Sequence, residues 1–173
     1  MDARESGPSL KAALTKGFVN AGVNVVDIGG ITTDMLYYAV GSSDEYSGGI
    51  VVSASHNPKE YNGAKMVREK AAAISSETGL FAIRDALKEG KDKDVSSPTK
   101  GRVEEKDVTD GYVEHVLTFI DLDAIKPLDV VANANFGCVG KVVDLLAERL
   151  PLLLTRLNWH PDGSFPKGTP DPM

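Results

Sequence analysis

The stretch Gly49-Ile50-Val51-Val52-Ser53-Ala54 runs directly into Ser55-His56-Asn57-Pro58-Lys59-Glu60-Tyr61-Asn62-Gly63-Ala64-Lys65. The first part is apolar without alternation, which predicts a short strand buried on both faces. Asn57-Pro58 and Asn62-Gly63 are turn pairs, so the polar part predicts a loop displayed at that strand's end. Strand ends are where α/β proteins usually place their sites. A serine beside a histidine, with lysines nearby, suits a nucleophile or a phosphate carrier. Adjacency alone does not bring the imidazole to the hydroxyl, and a polar connecting turn explains the same residues. Spacing leaves both readings open.

Working outward, helices and short strands alternate. Ser6 as N-cap, Pro8 in the first turn and Leu10, Ala13, Leu14 and Phe18 at helical spacing predict a helix ending at Asn20-Ala21-Gly22. Val23 to Ile28 reads as a β-branched strand stopped by Gly29-Gly30. Thr32 or Thr33 caps a second helix carrying Met35, Leu36 and Ala39. Ala64 to Arg68 reads as another strand and Thr78 to Leu87 as a helix. The charged stretch from Lys88 to Asp107 reads as a solvated surface loop, because both signs are mixed. Asp110 to Ile120 reads as an amphipathic helix.

The pattern breaks at Asp121 to Pro127 and then restarts. A strand is expected at Asp129 to Ala132, a helix from Gly137 to Leu150 and a strand at Leu152 to Leu157. The tail from His160 holds Pro161, Pro166, Pro170 and Pro172 and suits neither helix nor strand. The whole reads as an α/β protein, a layered mixed sheet flanked by helices. One unit covers 1–126, and 127–173 opens a second, similar one.

The 173 residues include 25 acidic against 19 basic side chains, a net charge of −6. That balance argues against nucleic-acid binding, which needs a clustered basic surface. A single cysteine, Cys138, excludes an internal disulfide. At the start of a helix its thiol could have a lowered pKa, although a small packing residue is the plainer reading. The N-terminus has no signal-peptide pattern, and no run approaches the roughly 18 apolar residues of a membrane helix. A soluble, cytoplasmic protein without membrane partners is expected. Gly137-Cys138-Val139-Gly140-Lys141 fails as a phosphate-binding P-loop, because Asn135 replaces its first glycine and Val142 its Ser or Thr. His56, His115 and His160 are too scattered for a zinc site.

The run Ser53-Ala54-Ser55-His56-Asn57-Pro58, with Tyr61-Asn62-Gly63 and Lys65, resembles the phosphoserine signature of the α-D-phosphohexomutases. Arg4, Ser6-Gly7-Pro8, Ala132-Asn133, Gly137, Pro161-Asp162-Gly163-Ser164-Phe165-Pro166 and Pro170-Asp171-Pro172 extend the likeness along the chain. Lys65-Met66-Val67-Arg68-Glu69 and Ile74-Ser75 with Thr78-Gly79-Leu80 are most similar to bacterial phosphomannomutases. The resemblance implies phosphoryl transfer between the 6- and 1-positions of a hexose phosphate, through a phosphoserine enzyme and a sugar bisphosphate. Ser55 would carry the phosphoryl group and ligate Mg²⁺. Lys65 would assist proton transfer or offset charge, and would need a lowered pKa to act as a base. His56 joins the catalytic set, with a part in shaping the loop. Arg4 and Asn57 would bind substrate.

The departures are as informative. The family's Asp-Gly-Asp-x-Asp-Arg metal loop is absent, and Asp162, Asp171 and Glu104-Glu105 lack its spacing. The family's sugar-recognition loop and C-terminal phosphate-binding domain are also absent, and its first strands would lie upstream of Met1. The expectation is the N-terminal portion of a phosphomannomutase-like enzyme using Mg²⁺ and a sugar bisphosphate activator. Phosphoglucomutase or dual specificity is the near alternative; an inactive fragment, scaffold or phosphosugar-binding module is the distant one. An unpaired sheet edge and apolar surface at Leu152 to Leu157 would favour a homo-oligomer.

Overall fold

The computed structural model describes residues 1–91 and 95–171. Helix α1 (Gly7–Asn20) leads to strand β1 (Val25–Asp27), helix α2 (Thr33–Gly41) and strands β2 (Gly48–Val52) and β3 (Ala64–Arg68). Helix α3 (Phe81–Lys88), strand β4 (Val103–Glu105) and helix α4 (Thr109–Leu117) follow, then β5 (Leu128–Asn133), α5 (Gly140–Arg149) and β6 (Leu152–Leu157). The strands form three pairs: β1 with β4 in parallel, β2 with β3 antiparallel, and β5 with β6 in parallel. Helices flank these small sheets, as the alternating pattern predicts.

Met1 and Asp2 tie the first two pairs together. The Met1 ammonium donates to the Gly29 carbonyl at 2.8 Å, and Ile31 N–H returns a bond to Met1 O at 3.0 Å. Asp2 N–H donates to Val52 O at 3.0 Å, so the chain's first residues run between the ends of β1 and β2. Burial lowers the pKa of the Met1 ammonium.

The core lies where α2 meets β2 and β3. Met35, Leu36 and Val40 pack with Val51 and Val67, and with Val113 and Leu117 of α4. Val142 of α5 completes the same cluster, so the later part of the chain shares the core of the earlier part. A second tie is polar. Asp107 accepts bonds from the Thr109 N–H and hydroxyl at the start of α4, and from Lys141 of α5 at 2.6 Å.

Three elements differ from the sequence expectation. The loop reading of 88–107 fails at Val103–Glu105, which pairs with Val25–Asp27, while residues 92–94 of that stretch lie outside the described residues. All three β4 residues are exposed, so no apolar periodicity marks this edge strand. Helix α3 begins at Phe81 rather than Thr78, because Gly79 at φ +142° interrupts a wide turn over Ser76–Leu80. Helix α5 begins at Gly140, leaving Cys138 ahead of it. The apolar exposure expected at 152–157 is present: Leu153 is 71% and Leu157 46% exposed. No helix among the described residues is long and apolar enough to cross a membrane.

Two outcomes test this arrangement. A Cβ at Gly101 would overlap the Val23 backbone carbonyl. Gly101→Ala is therefore expected to lower stability by about 2 kcal/mol, the scale of an overpacked site, and an unchanged thermal melt would contradict the close approach. The Lys141 and Thr109 bonds hold the Asp107 carboxyl well below the usual carboxylate range. A depressed carboxylate contributes above its ordinary pKa and loses that contribution as pH falls through the folded value. Asp107→Ala should cost about 1 kcal/mol at neutral pH in denaturant titration, with the difference from wild type shrinking in strong acid.

Candidate functional site

The segment between β2 and β3 closes on itself through backbone and side-chain bonds. Ser53 N–H donates to Gly63 O at 3.0 Å, which joins the loop's two ends. Asn57 N–H and Nδ2 both donate to Ala54 O, at 3.1 and 2.8 Å. Tyr61 N–H reaches Pro58 O at 3.0 Å, and Asn62 Nδ2 reaches Ser6 Oγ at 2.9 Å. Ser6 occupies the N-cap position of α1 with a helical backbone and does not cap the helix with its side chain.

Ser55 stands at the turn of this loop with φ +55°. A side chain in the left-handed region costs roughly 1–2 kcal/mol, so surrounding bonds must hold it there. Ser55 N–H donates to Ser53 Oγ at 3.1 Å. Behind the loop lies Arg4, whose side chain is fully buried. Its Nη1 donates to Pro58 O at 2.7 Å, and its Nη2 to Ser55 O at 3.0 Å and Asn57 O at 2.7 Å. Nε pairs with Asp2 Oδ2 at 3.2 Å. A guanidinium presents five N–H groups in a planar fork, which suits carbonyls converging from one turn.

The residues singled out from sequence thus divide by place. Ser55 Oγ lies 3.5 Å from His56 Nδ1, the outer limit of a hydrogen bond, and both side chains are exposed. Lys65 is exposed on β3 and pairs in register with Val51, so it shares a sheet face with that residue. Arg4 is expected from sequence to bind substrate, yet its guanidinium is sealed inside the protein and spent on loop carbonyls. The Asn57 side-chain amide is likewise bonded within the loop.

Ser55 opens onto a shallow cavity of about 230 Å³. Asp2, Val51 and Ser53 form one side, and Ile31, Thr32 and Thr33 at the N-terminal end of α2 form another. Ala134, Asn135, Gly137 and Cys138 come from the segment after β5, and Phe165 and Pro170 from the tail. Thr32 Oγ1 is buried with no hydrogen-bond partner among the described residues. Sequence reading marks Thr32 only as a helix cap, yet its side chain caps nothing. Burial pushes the Cys138 thiol pKa up, as the packing-residue reading has it and against the alternative of a lowered value; the half-buried residue packs near Met1 O.

As a metal centre these groups are insufficient. The described residues contain no group of three or more His, Cys, Asp or Glu placed to hold an ion. Asp2 lines the cavity, but both its carboxylate oxygens are engaged by Arg4. Ser55 Oγ is then a single oxygen ligand, and the donor set does not fit a Mg²⁺ site by itself.

Known proteins give the same outline. The family pattern for phosphoglucomutase/phosphomannomutase, alpha/beta/alpha domain I, matches residues 1–94. A protein named phosphohexose mutases from Xanthomonas campestris pv. campestris (strain B100) is 43% identical over 172 residues, covering 99% of this chain and 38% of its own length. A phosphomannomutase from Salmonella montevideo is 38% identical over 177 residues, 99% of this chain and 39% of its own. A crystal structure of a phosphoglucomutase/phosphomannomutase family protein from Burkholderia thailandensis superposes with a TM-score of 0.83 at 34% identity, covering 99% of this chain and 37% of that one. The chain therefore spans less than two fifths of the length of these relatives. With its first 94 residues matching domain I and its strands and helices superposing on a solved member, this chain belongs to the phosphoglucomutase/phosphomannomutase family.

Proposed function

We propose that Ser55 carries a transferable phosphoryl group in a phosphohexose mutase reaction, of which this chain supplies the phosphoserine part. The carrying observation is the placement of Ser55. Its left-handed backbone presents the loop to a cavity whose far wall is the N-terminal end of α2. A helix N-terminus favours anions. Phosphoryl transfer asks for positioning and charge neutralisation more than for covalent chemistry.

In the proposed transfer, the bond from Ser55 Oγ to phosphorus breaks as a sugar hydroxyl oxygen bonds to phosphorus. The sugar hydroxyl gives up its proton, and Ser55 Oγ leaves protonated. The bisphosphorylated sugar then turns and returns its other phosphate to Ser55. Lys65, near the loop on the strand next to β2, offsets the charge on the transferring oxygens. His56, beside Ser55 Oγ, hydrogen-bonds the phosphoserine. The steps run through this chain's own groups, because its donors do not fit a Mg²⁺ site alone; further ligands would have to come from elsewhere in a longer protein.

Mannose phosphates are the proposed substrates, with glucose phosphates the near alternative. The two units, 1–126 and 127–173, are proposed as most of a first domain and the opening of a second. Exposed Leu128, Val131, Leu153 and Leu157 on the β5–β6 pair make self-association the expected behaviour of the isolated chain. One observation favours a reading of partial function. At about 230 Å³ the cavity is smaller than the roughly 300–1,000 Å³ of typical small-molecule sites, so it holds a phosphoryl group better than a whole sugar phosphate.

Incubating the chain with glucose 1,6-bisphosphate and Mg²⁺, followed by intact-mass and peptide mass spectrometry, tests the proposal. The expected outcome is the gain of one phosphoryl group at Ser55, abolished in Ser55→Ala. No gain, or a gain elsewhere that persists in Ser55→Ala, contradicts it. Phosphorylation without conversion of mannose 1-phosphate would identify a competent phosphoserine module that lacks the sugar-binding parts.

A further inference from the structure

We infer that Arg4 is a positioning residue: its buried guanidinium sets the backbone of Ser55, and the Asp162–Phe165 turn seals it in place. This rests on the reading of Ser55 as the phosphoryl carrier. Three convergent bonds reach the carbonyls of Ser55, Asn57 and Pro58, and no other described side chain bonds to any of those carbonyls. Charge-assisted bonds of this kind are about twice as strong as neutral ones, and the planar fork ties three points of one turn together. Holding the Ser55 carbonyl fixes the orientation of the peptide plane that follows Ser55, and with it the ψ of that residue. Arg4 thus acts on the backbone behind the hydroxyl.

The seal comes from the far end of the chain. The Phe165 ring lies over the guanidinium, 5.4 Å from Arg4 Cζ to the ring centroid. Gly163 approaches the Ala3–Glu5 backbone so closely that a Cβ there would overlap Ala3 O and stand 2.7 Å from Glu5 N. Asp162 holds this turn by accepting bonds from the Ser164 N–H and hydroxyl, and its own N–H is anchored on Phe136 O at 3.0 Å. Phe165 also lines the cavity onto which Ser55 opens. The seal and the cavity wall are the same turn, so the later segment governs both the clamp and access to the hydroxyl.

A lysine in place of Arg4 keeps the charge but replaces the fork with a single centre. The decisive experiment compares wild type, Arg4→Lys and Arg4→Ala for two readouts: the rate of Ser55 phosphorylation by glucose 1,6-bisphosphate, and amide hydrogen exchange over Ser55–Asn62. Arg4→Ala is expected to slow phosphorylation about 100-fold, the cost of misplacing a reacting group by about an ångström. Its loop amides should exchange faster, and millimolar methylguanidinium should restore both readouts. Arg4→Lys should be impaired without responding to methylguanidinium.

Wild-type rates and exchange in Arg4→Ala would overturn the inference. So would slowed phosphorylation with unchanged loop exchange and no rescue. Loss of a cooperative melt in both variants would assign Arg4 to the folding core instead, and also overturn it. If wild type itself is not phosphorylated, the functional reading falls, while the exchange and its rescue still decide the role of Arg4.

Discussion

A buried cation bonded to the carbonyls of Ser55, Asn57 and Pro58 is the constraint on which the candidate site depends. A charge taken out of water is costly unless its donors are satisfied, so Arg4 is retained inside only with its fork occupied. Those bonds, with the Asp2 carboxylate at Nε, supply the necessary partners. In return the turn is held in a backbone conformation that serine rarely adopts. The Ser55 hydroxyl is then displayed to the cavity while its backbone is fixed from behind.

The same constraint joins the two parts of the chain. Asp2 and Arg4 belong to the first residues, the loop to the β2–β3 connection, and Phe165 to the tail. Val142 in the shared core and the Lys141–Asp107 pair make further connections between α5 and the earlier elements. The β2–β3 loop is therefore supported by contacts widely separated in sequence. Its geometry depends on the segment after residue 127 being folded onto the segment before it. The cavity is walled by one helix end, the Ser53 and Ser55 turn, the segment after β5 and the tail.

Much of this was legible in the residues. The apolar run before Ser53 and the turn pairs Asn57-Pro58 and Asn62-Gly63 locate β2 and its loop, because those residue types have local conformational preferences. Helices α1, α2, α4 and α5 follow from apolar spacing, with ends shifted by a few residues. What escaped is governed by distant contacts. Strand β4 carries a single apolar residue, so only its pairing with β1 identifies it. Arg4 bonds to backbone carbonyls more than fifty positions away, and a guanidinium aimed at carbonyls leaves no pattern in its neighbours. Thr32 has the residue type of a cap, yet its hydroxyl is buried and caps nothing. For Cys138 the plainer reading, a small packing residue, agrees with its burial, and the alternative of a helix-start thiol fails because the helix begins later and burial raises the pKa.

The central claim is that Ser55 rests in the left-handed conformation before any phosphate arrives. The intraresidue amide–Hα nuclear Overhauser effect of Ser55 in the unphosphorylated chain measures this directly, since positive φ brings those two protons close. The account predicts a strong effect at Ser55, comparable with those of Asn135 and Phe136, which also have positive φ. A weak effect typical of negative φ would show that the turn is not preset, and would contradict the account.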